Sequence, residues 1–418
     1  MMIFFSFLFL VIMLAYLPGI LLYVSLVGLI ILVNSELTLK KFWFLSFSIF
    51  FILSYIIYIN SIPSFLVMSD DYTAYYNNYI EFLNGDFNAF RTFSGGREFL
   101  FPILNYIFSL IIGAPYPYLL KTFHTLIFVI LFCFLVFLIC KNKKLSKNEC
   151  MLLIVCMFVF WKLPQSLHLM RQGYASYFIL MAFFVNRLCY RVILISIASF
   201  FHLSSPIIFV IIFYMMKVKT YKRAFLVSFL FLIISFFILI SGAILEPLKL
   251  ISPKLVYIIN NLHNNNNMFN SSFFESVKAT TYLFPLIVLI IINNKFGKTK
   301  IDIGPFIVVV ISFLIFFSYI PGFAFRIMMP ILSVFIGYYY YLTVANFKSI
   351  IRTLILLLIF TFLYMTWIIS NQMFFYRYPI IGDTPFYYVP KFFEEKSYIF
   401  RDGLPYDSKV SNKNKVIL

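Results

Sequence analysis

Residues 152–161 read LLIVCMFVFW, an apolar run that no polar residue interrupts. Apolar and polar side chains do not alternate along it, as they would on a half-buried strand, so the run indicates a helix. Similar runs of about 14 to 24 residues recur along the chain, and these lengths cross or deeply enter a hydrocarbon core about 30 Å thick. The sequence therefore predicts an all-α, polytopic integral membrane protein.

The composition of the 418 residues supports the same class. They are 63% hydrophobic, 22% aromatic and 11% charged, whereas a soluble domain averages about 25% charged residues. The mean hydropathy is +0.97. A soluble globular domain is therefore excluded.

The charge of the chain is strongly positive, with 33 Lys and Arg against 15 Asp and Glu. Most of the basic residues lie in short segments between apolar runs, which is the positive-inside pattern of cytoplasmic loops, so we expect no nucleic-acid partner. The five cysteines show no paired spacing, and we expect no disulfide frame, metal or cofactor. The basic clusters are Lys40–Lys41, Lys141–Lys147, Lys217–Arg223 and Lys295–Lys300.

Placing these clusters in the cytoplasm predicts about eleven crossings plus a re-entrant hairpin. Residues 3–16 form the first span, and residues 149–163 and 327–345 are among the later spans. Residues 99–113 are predicted to be an interfacial or re-entrant helix on the outer side, because they and the following run at 117–140 cannot both cross. Residues 192–216 are predicted to enter and return as two short helices, with His202 at the break.

The expected domain organisation follows from this topology. Residues 1–370 form a transmembrane catalytic domain with external loops at 61–98 and 244–278, and residues 371–418 form an external tail.

Charged side chains in or beside the membrane are costly, by at least about 2.5–3.5 kcal/mol at a helix centre, and need a reason. In the predicted topology they collect on the outer side from four separate stretches of chain, which indicates a polar cavity there. The candidate site residues are Asp70, Asp71, Arg97, Glu98, Arg171, His202 and Arg326.

Each candidate also has a structural interpretation. Arg326 could be an interfacial arginine whose head group reaches water, and Glu98 could pair with Arg97. Asp70 and Asp71 could cap the helix that follows them. His202 could be a hydrogen-bonded core histidine, and we interpret His124, in an apolar run, as structural.

The candidates fit a diphosphate-linked prenyl glycan. Arginine forks bind phosphate oxygens bidentately, and we assign Arg171, Arg326 and Arg97 to the diphosphate. A carboxylate or His202 would take the proton of an attacking sugar hydroxyl. We favour His202, with Glu98, Asp70 and Asp71 shaping the acceptor site. The chain carries no nucleotide-binding motif, so the donor would bring its own activation.

The candidate residues lie in five short motifs that follow one another along the chain. These motifs are Asp70-Asp71-Tyr72-x-x-Tyr75, Arg97-Glu98-Phe99 through Asn105-Tyr106, Met170-Arg171-Gln172-Gly173-Tyr174, Phe201-His202-Leu203-Ser204 and Phe325-Arg326-Ile327. In this ordered set the chain resembles the EpsG-like branch of the Wzy polysaccharide polymerases, which are relatives of the C-type membrane glycosyltransferases. The family's usual glycine two residues before the motif aspartate is absent, so either Asp70 or Asp71 matches it.

The resemblance implies a glycosyltransferase in the cytoplasmic (inner) membrane of a bacterium. It would join undecaprenyl-diphosphate-linked oligosaccharide repeat units into O-antigen, capsule or exopolysaccharide at the outer leaflet, by inverting transfer. A chain-length regulator and a flippase are possible partners, besides the lipid bilayer. Two alternatives stay open: an O-antigen ligase or single-sugar transferase of the same fold, and a lipid-linked oligosaccharide flippase or transporter.

Overall fold

The computed structural model describes residues 18–34, 38–61, 71–115, 117–241, 280, 283–296, 303–320 and 322–370. Every regular element within these ranges is helical, which confirms the predicted all-α class. Four sequence-based predictions fall outside the described residues: the span at 3–16, Asp70, the loop at 244–278 and the tail at 371–418.

The helices follow the apolar runs, including both predicted short helices around His202. Their bounds are α1 Pro18–Val33, α2 Leu39–Ser61, α3 Asp71–Leu83, α4 Ala89–Thr92, α5 Leu100–Ile112, α6 Pro117–Lys143, α7 Lys147–Phe160, α8 Leu163–His168, α9 Met170–Phe184, α10 Leu188–Phe201, α11 Ser205–Met216, α12 Tyr221–Ser241, α13 Phe284–Phe296, α14 Gly304–Phe316, α15 Phe323–Met329, α16 Ile336–Val344 and α17 Ser349–Ser370. A 3₁₀ turn at Phe93–Gly96 follows α4, and a π-helical segment at Pro330–Phe335 joins α15 to α16.

The described chain divides into two compact units. The first comprises the described residues up to Pro206 together with Ser333–Gly337 and 349–370, and the second comprises Ile207–Leu332 and Tyr338–Lys348.

The core of the first unit is aromatic and lies between α6, α7 and α9. The ring of Trp161 stacks on Phe132 at 4.2 Å between centroids, and its indole nitrogen donates to the hydroxyl of Tyr177 at 2.6 Å. Near this core Gly337 lies so close to α7 that an added Cβ would stand 2.5 Å from the carbonyl oxygen of Cys156. The helices of this core are therefore closely packed and leave little room for movement.

In the second unit, hydroxyl groups join helices that are otherwise apolar. Ser228 on α12 lies 2.8 Å from Ser312 on α14, and Ser235 donates to the carbonyl oxygen of Phe316 at 2.6 Å. Such small hydroxyl residues are common where helices pack in lipid.

Two helical stretches of the described chain are long and apolar enough to cross a bilayer, Leu119–Lys143 and Phe323–Val344. Seven further apolar helices are 10–17 residues long. Helix α5, with 13 residues, is about 20 Å long, less than a hydrocarbon core. The number of crossings and their direction stay predictions.

Two local features differ from the predicted spans. The span predicted at 149–163 ends as a helix at Phe160, and the next residues turn so that Lys162 is buried and its backbone N–H donates to the carbonyl oxygen of Ser333 at 2.8 Å. The span predicted at 327–345 contains the π-helical segment, which begins at Pro330. Proline has no N–H to donate, so the regular α-helical ladder is interrupted there.

Candidate active site

Three chain segments of the first unit bring a glutamate, an arginine and a histidine together. Glu98 lies two residues before the start of α5. Arg171 lies in the first turn of α9, and His202 directly follows the last residue of α10. All three belong to motifs that the sequence analysis singled out. The structure thus assembles in one place residues that are up to 104 positions apart.

The break after α10 presents His202 in an extended conformation, with φ −150° and ψ 113°. Its backbone N–H still donates to the carbonyl oxygen of Ala198 at 2.8 Å, and the hydroxyl of Ser205 donates to the same carbonyl oxygen at 3.0 Å. These bonds satisfy backbone groups that the end of a helix leaves open. The imidazole is therefore held by an ordered chain break.

The first turn of α9 packs closely against α8. A Cβ on Gly173 would lie 2.8 Å from the carbonyl oxygen of Ser166, so only glycine fits without a shift of the backbone. This close approach fixes the position of Arg171, two residues earlier.

The carboxylate of Glu98 uses both oxygens. One accepts from Nδ1 of His202 at 3.1 Å and from the backbone N–H of Leu203 at 3.0 Å. The other forms an ion pair with Nη1 of Arg171. Glu98 itself is only 7% exposed.

These partners set the ionisation of Glu98. Burial raises the pKa of the carboxyl, but the hydrogen bond from His202, the charge of Arg171 and the N–H of Leu203 outweigh it and lower the pKa to about 2. Glu98 is therefore an anion at neutral pH and a weak proton acceptor.

The guanidinium of Arg171 lies between aromatic rings. Its Cζ is 5.2 Å from the ring centroid of Phe93 and 5.9 Å from that of Tyr75, within the range of cation–π attraction. The side chain keeps 25% of its surface exposed.

The ionised carboxylate also determines which nitrogen of His202 carries the proton. Because Glu98 can only accept, Nδ1 of His202 donates, and a neutral imidazole then has its lone pair on Nε2. The His202 side chain is 22% exposed. This orientation is the one that a general base requires.

A second layer of hydrogen bonds lies beneath this cluster. Nδ1 of His124 is 2.8 Å from the Tyr174 hydroxyl, and Nε2 is 3.3 Å from Oδ1 of Asn105. The amide nitrogen of Asn105 in turn donates to the carbonyl oxygen of Tyr75 at 3.1 Å and to Oδ1 of Asn78 at 3.0 Å. His124 and Asn105 are fully buried.

The remaining predicted site residues are placed as follows. Asp71 begins α3, and Asp70 lies outside the described residues. Arg97 is exposed after the 3₁₀ turn, and Arg326 lies on α15 in the second unit. Their part in the site stays a prediction. Among the described residues, no three His, Cys, Asp or Glu side chains are grouped to hold a metal ion.

Sequence reasoning missed the backbone N–H of Leu203 and the ring of Phe93, since neither is a titratable group. It also interpreted His124 as structural without connecting it to Asn105 and Tyr174. The quoted motifs contained Tyr75, Asn105 and Tyr174, so the signal for this second layer was present.

A cluster of paired Glu, Arg and His side chains among apolar helices is typical of membrane enzymes and transporters. Within that class, the chain belongs to the EpsG family, whose model matches residues 49–379. Proteins of this family are membrane proteins, and membership indicates a glycosyltransferase-like polysaccharide polymerase. No curated protein and no solved structure matches the chain.

Proposed function

We propose that this protein polymerises undecaprenyl-diphosphate-linked oligosaccharide repeat units by inverting glycosyl transfer. The reaction would take place at the outer leaflet of a bacterial cytoplasmic membrane that the chain crosses several times. The observation that carries the proposal is the Glu98–His202 hydrogen bond, which leaves Nε2 of His202 as the proton acceptor.

In the proposed reaction, a hydroxyl oxygen of the acceptor glycan attacks the anomeric carbon of the donor. Its proton passes to Nε2 of His202, and the bond from the anomeric carbon to the diphosphate oxygen breaks. The lipid diphosphate leaves with the electron pair. A single displacement of this kind inverts the anomeric carbon and needs one base, which the cluster supplies without a second carboxylate.

Glu98 suits a supporting role in this reaction. Its anion orients His202 through Nδ1 and stabilises the imidazolium that forms at proton transfer. Because its oxygens are engaged and its pKa is low, it is a poor base and a poor nucleophile. In this proposal it supports the base, in addition to the part we expected of it in shaping the acceptor site.

The negative charge that develops on the leaving diphosphate needs positive partners. The guanidinium of Arg171 is paired with Glu98, which also binds His202, and a quarter of the Arg171 side chain is exposed. We propose that Arg171 binds the diphosphate, and that Arg326 and Arg97 contribute. Asp71 and Asp70 would contact the acceptor glycan.

The surface of the helices supports a lipid environment for the protein. Large apolar side chains are exposed along α12, among them Phe225, which is 70% exposed, and Phe237, which is 66% exposed. Soluble monomers rarely expose contiguous apolar surface of this kind.

The test is polymerisation in vitro with purified protein and purified lipid-linked repeat unit, followed by separation of the products by length. We expect a ladder of polymers from the wild-type protein and a loss of turnover of about 10²–10⁴-fold in His202→Gln.

A matched control is Glu149→Gln, since Glu149 is an exposed carboxylate in the capping box at the start of α7 and should leave turnover unchanged. Near wild-type turnover in His202→Gln would remove the histidine from the mechanism. Transfer to a different acceptor without any ladder would favour the ligase, and translocation without bond formation would favour the flippase.

A further inference from the structure

His124 lies in the interior of the first unit, on α6. It is 0% exposed, and its ring stacks on Phe101 at 5.2 Å between centroids with an interplanar angle of 5°. Phe108 packs edge-on against the other side at 5.1 Å. An apolar residue could fill this space, yet the position holds an imidazole with both nitrogens engaged.

The hydrogen bonds define how this imidazole is used. The amide nitrogen of Asn105 donates to Tyr75 and Asn78, so its Oδ1 faces His124 as an acceptor. Nε2 of His124 therefore carries the proton, and Nδ1 accepts from the hydroxyl of Tyr174. A neutral imidazole satisfies both partners at once, and a phenylalanine of similar shape satisfies neither.

Tyr174 and Asn105, the two partners of His124, both lie next to residues that contact Arg171 or adjoin His202. Tyr174 lies one turn after Arg171 on α9, and its ring stacks at 4.7 Å on Phe201, the residue before His202. On the other side, Asn105 holds the carbonyl group of Tyr75, whose ring stands beside the guanidinium of Arg171. The His124 imidazole thus joins the residues packed beside His202 to those packed beside Arg171.

We infer that His124 is a positioning residue, which sets the relative placement of His202 and Arg171 through its hydrogen bonds to Tyr174 and Asn105. The inference rests on the proposed function, because the quantity that His124 controls is the geometry of the proposed base and phosphate ligand. A misplacement of about 1 Å in such a geometry can lower a rate by about 10²-fold.

The experiment compares His124→Phe and Tyr174→Phe with the wild-type protein in the in vitro polymerisation assay. Both variants keep an aromatic ring and remove the hydrogen bond between residues 124 and 174. We expect turnover per folded protein to fall roughly 10- to 100-fold in His124→Phe, with unchanged KM for the lipid-linked repeat unit. Tyr174→Phe should show a loss in the same direction, and it serves as the measurement if His124→Phe does not fold.

The decisive comparison repeats His124→Phe in the His202→Gln background. A positioning residue acts through His202, so the change should cause a much smaller further loss there than in the wild-type protein. A merely structural histidine would lower the active fraction by the same factor in both backgrounds. Thr125→Val is the matched control, because Thr125 is equally buried on α6 but its hydroxyl bonds only the carbonyl oxygen of Lys121 at 2.8 Å.

Wild-type turnover in His124→Phe or in Tyr174→Phe, or an equal loss in both backgrounds, overturns the inference and leaves the proposed function standing. Wild-type turnover in His202→Gln overturns the proposed base, and the inference with it. The two failures are therefore distinguishable.

Discussion

Glu98 and Arg171 form an ion pair although 73 positions separate them along the chain. Arg97, the arginine next to Glu98 in sequence, is exposed instead. The pairing joins the segment before α5 to the first turn of α9, and Oε1 of Glu98 extends it to the chain break after α10. One carboxylate thus ties together three elements of the first unit.

The stability of the protein should depend on this carboxylate in acid. The pKa of Glu98 is lowered from 4.5 to about 2 in the folded state. The pair therefore stabilises the fold fully above pH 4.5, and this contribution is lost as the pH falls from 4.5 towards 2. Thermal unfolding in detergent at pH 6 and pH 3 should show a larger decrease for the wild-type protein than for Glu98→Gln. Equal decreases would contradict the prediction.

Arg171→Lys should abolish most of the polymer while the protein level holds. Lysine keeps the charge but loses the planar fork that can bind Glu98 and a diphosphate together. We expect the same loss for Arg326→Lys if Arg326 also binds the diphosphate. The measurement is the length distribution of surface glycan in a complemented deletion strain. Arg223→Lys, an exposed arginine at the start of α12, is the control, and full activity in both lysine variants would remove the phosphate-binding role.

The predicted orientation can be tested with single cysteines in a protein without its native cysteines. Asn84→Cys, in the predicted external loop, should react with an impermeant thiol reagent on intact cells. Asn148→Cys, in the first turn of α7 beside the basic cluster Lys141–Lys147, should not. Both side chains are exposed, so accessibility to solvent is matched. Labelling at 148 from outside would reverse the orientation and place the cluster on the cytoplasmic side.

Gly337→Ala should destabilise the first unit. The new methyl group would stand 2.5 Å from the carbonyl oxygen of Cys156 and 2.6 Å from the Cα of Met157, and backbone atoms cannot rotate away. Overpacking of this kind costs about 1–3 kcal/mol. Thermal unfolding measures the effect, and Gly28→Ala, with nothing within 4 Å of the new methyl group, is the control. An unchanged transition temperature would contradict the contact.

Much of the fold follows from local sequence. Long apolar runs predict helices because a helix forms all its backbone hydrogen bonds within itself, without water. The break at 201–206 follows from the polar residues and Pro206 that interrupt the run. The π-helical segment at Pro330–Phe335 was not predicted, because the choice between α- and π-helical turns depends on packing that a single run does not encode.

The site was only partly predictable. The order of the motifs predicted that Glu98, Arg171 and His202 belong to one site. Which of them pair with one another depends on tertiary contacts. Arg97 and Glu98 lie in the short bend between the 3₁₀ turn and α5, where Arg97 is exposed and Glu98 is buried, so these neighbours in sequence do not form the ion pair. His124 could not be distinguished from a core histidine, because its partners lie on other helices.

The rings of Phe93 and Tyr75 beside Arg171 have a consequence for how any anion would associate with it. A free arginine side chain loses up to about 2 kcal/mol of rotamer entropy when it becomes fixed. Here folding has already restricted the guanidinium before an anion arrives. The entropy cost of association is correspondingly smaller, so a weak set of contacts can still give useful affinity and allow rapid release of the product.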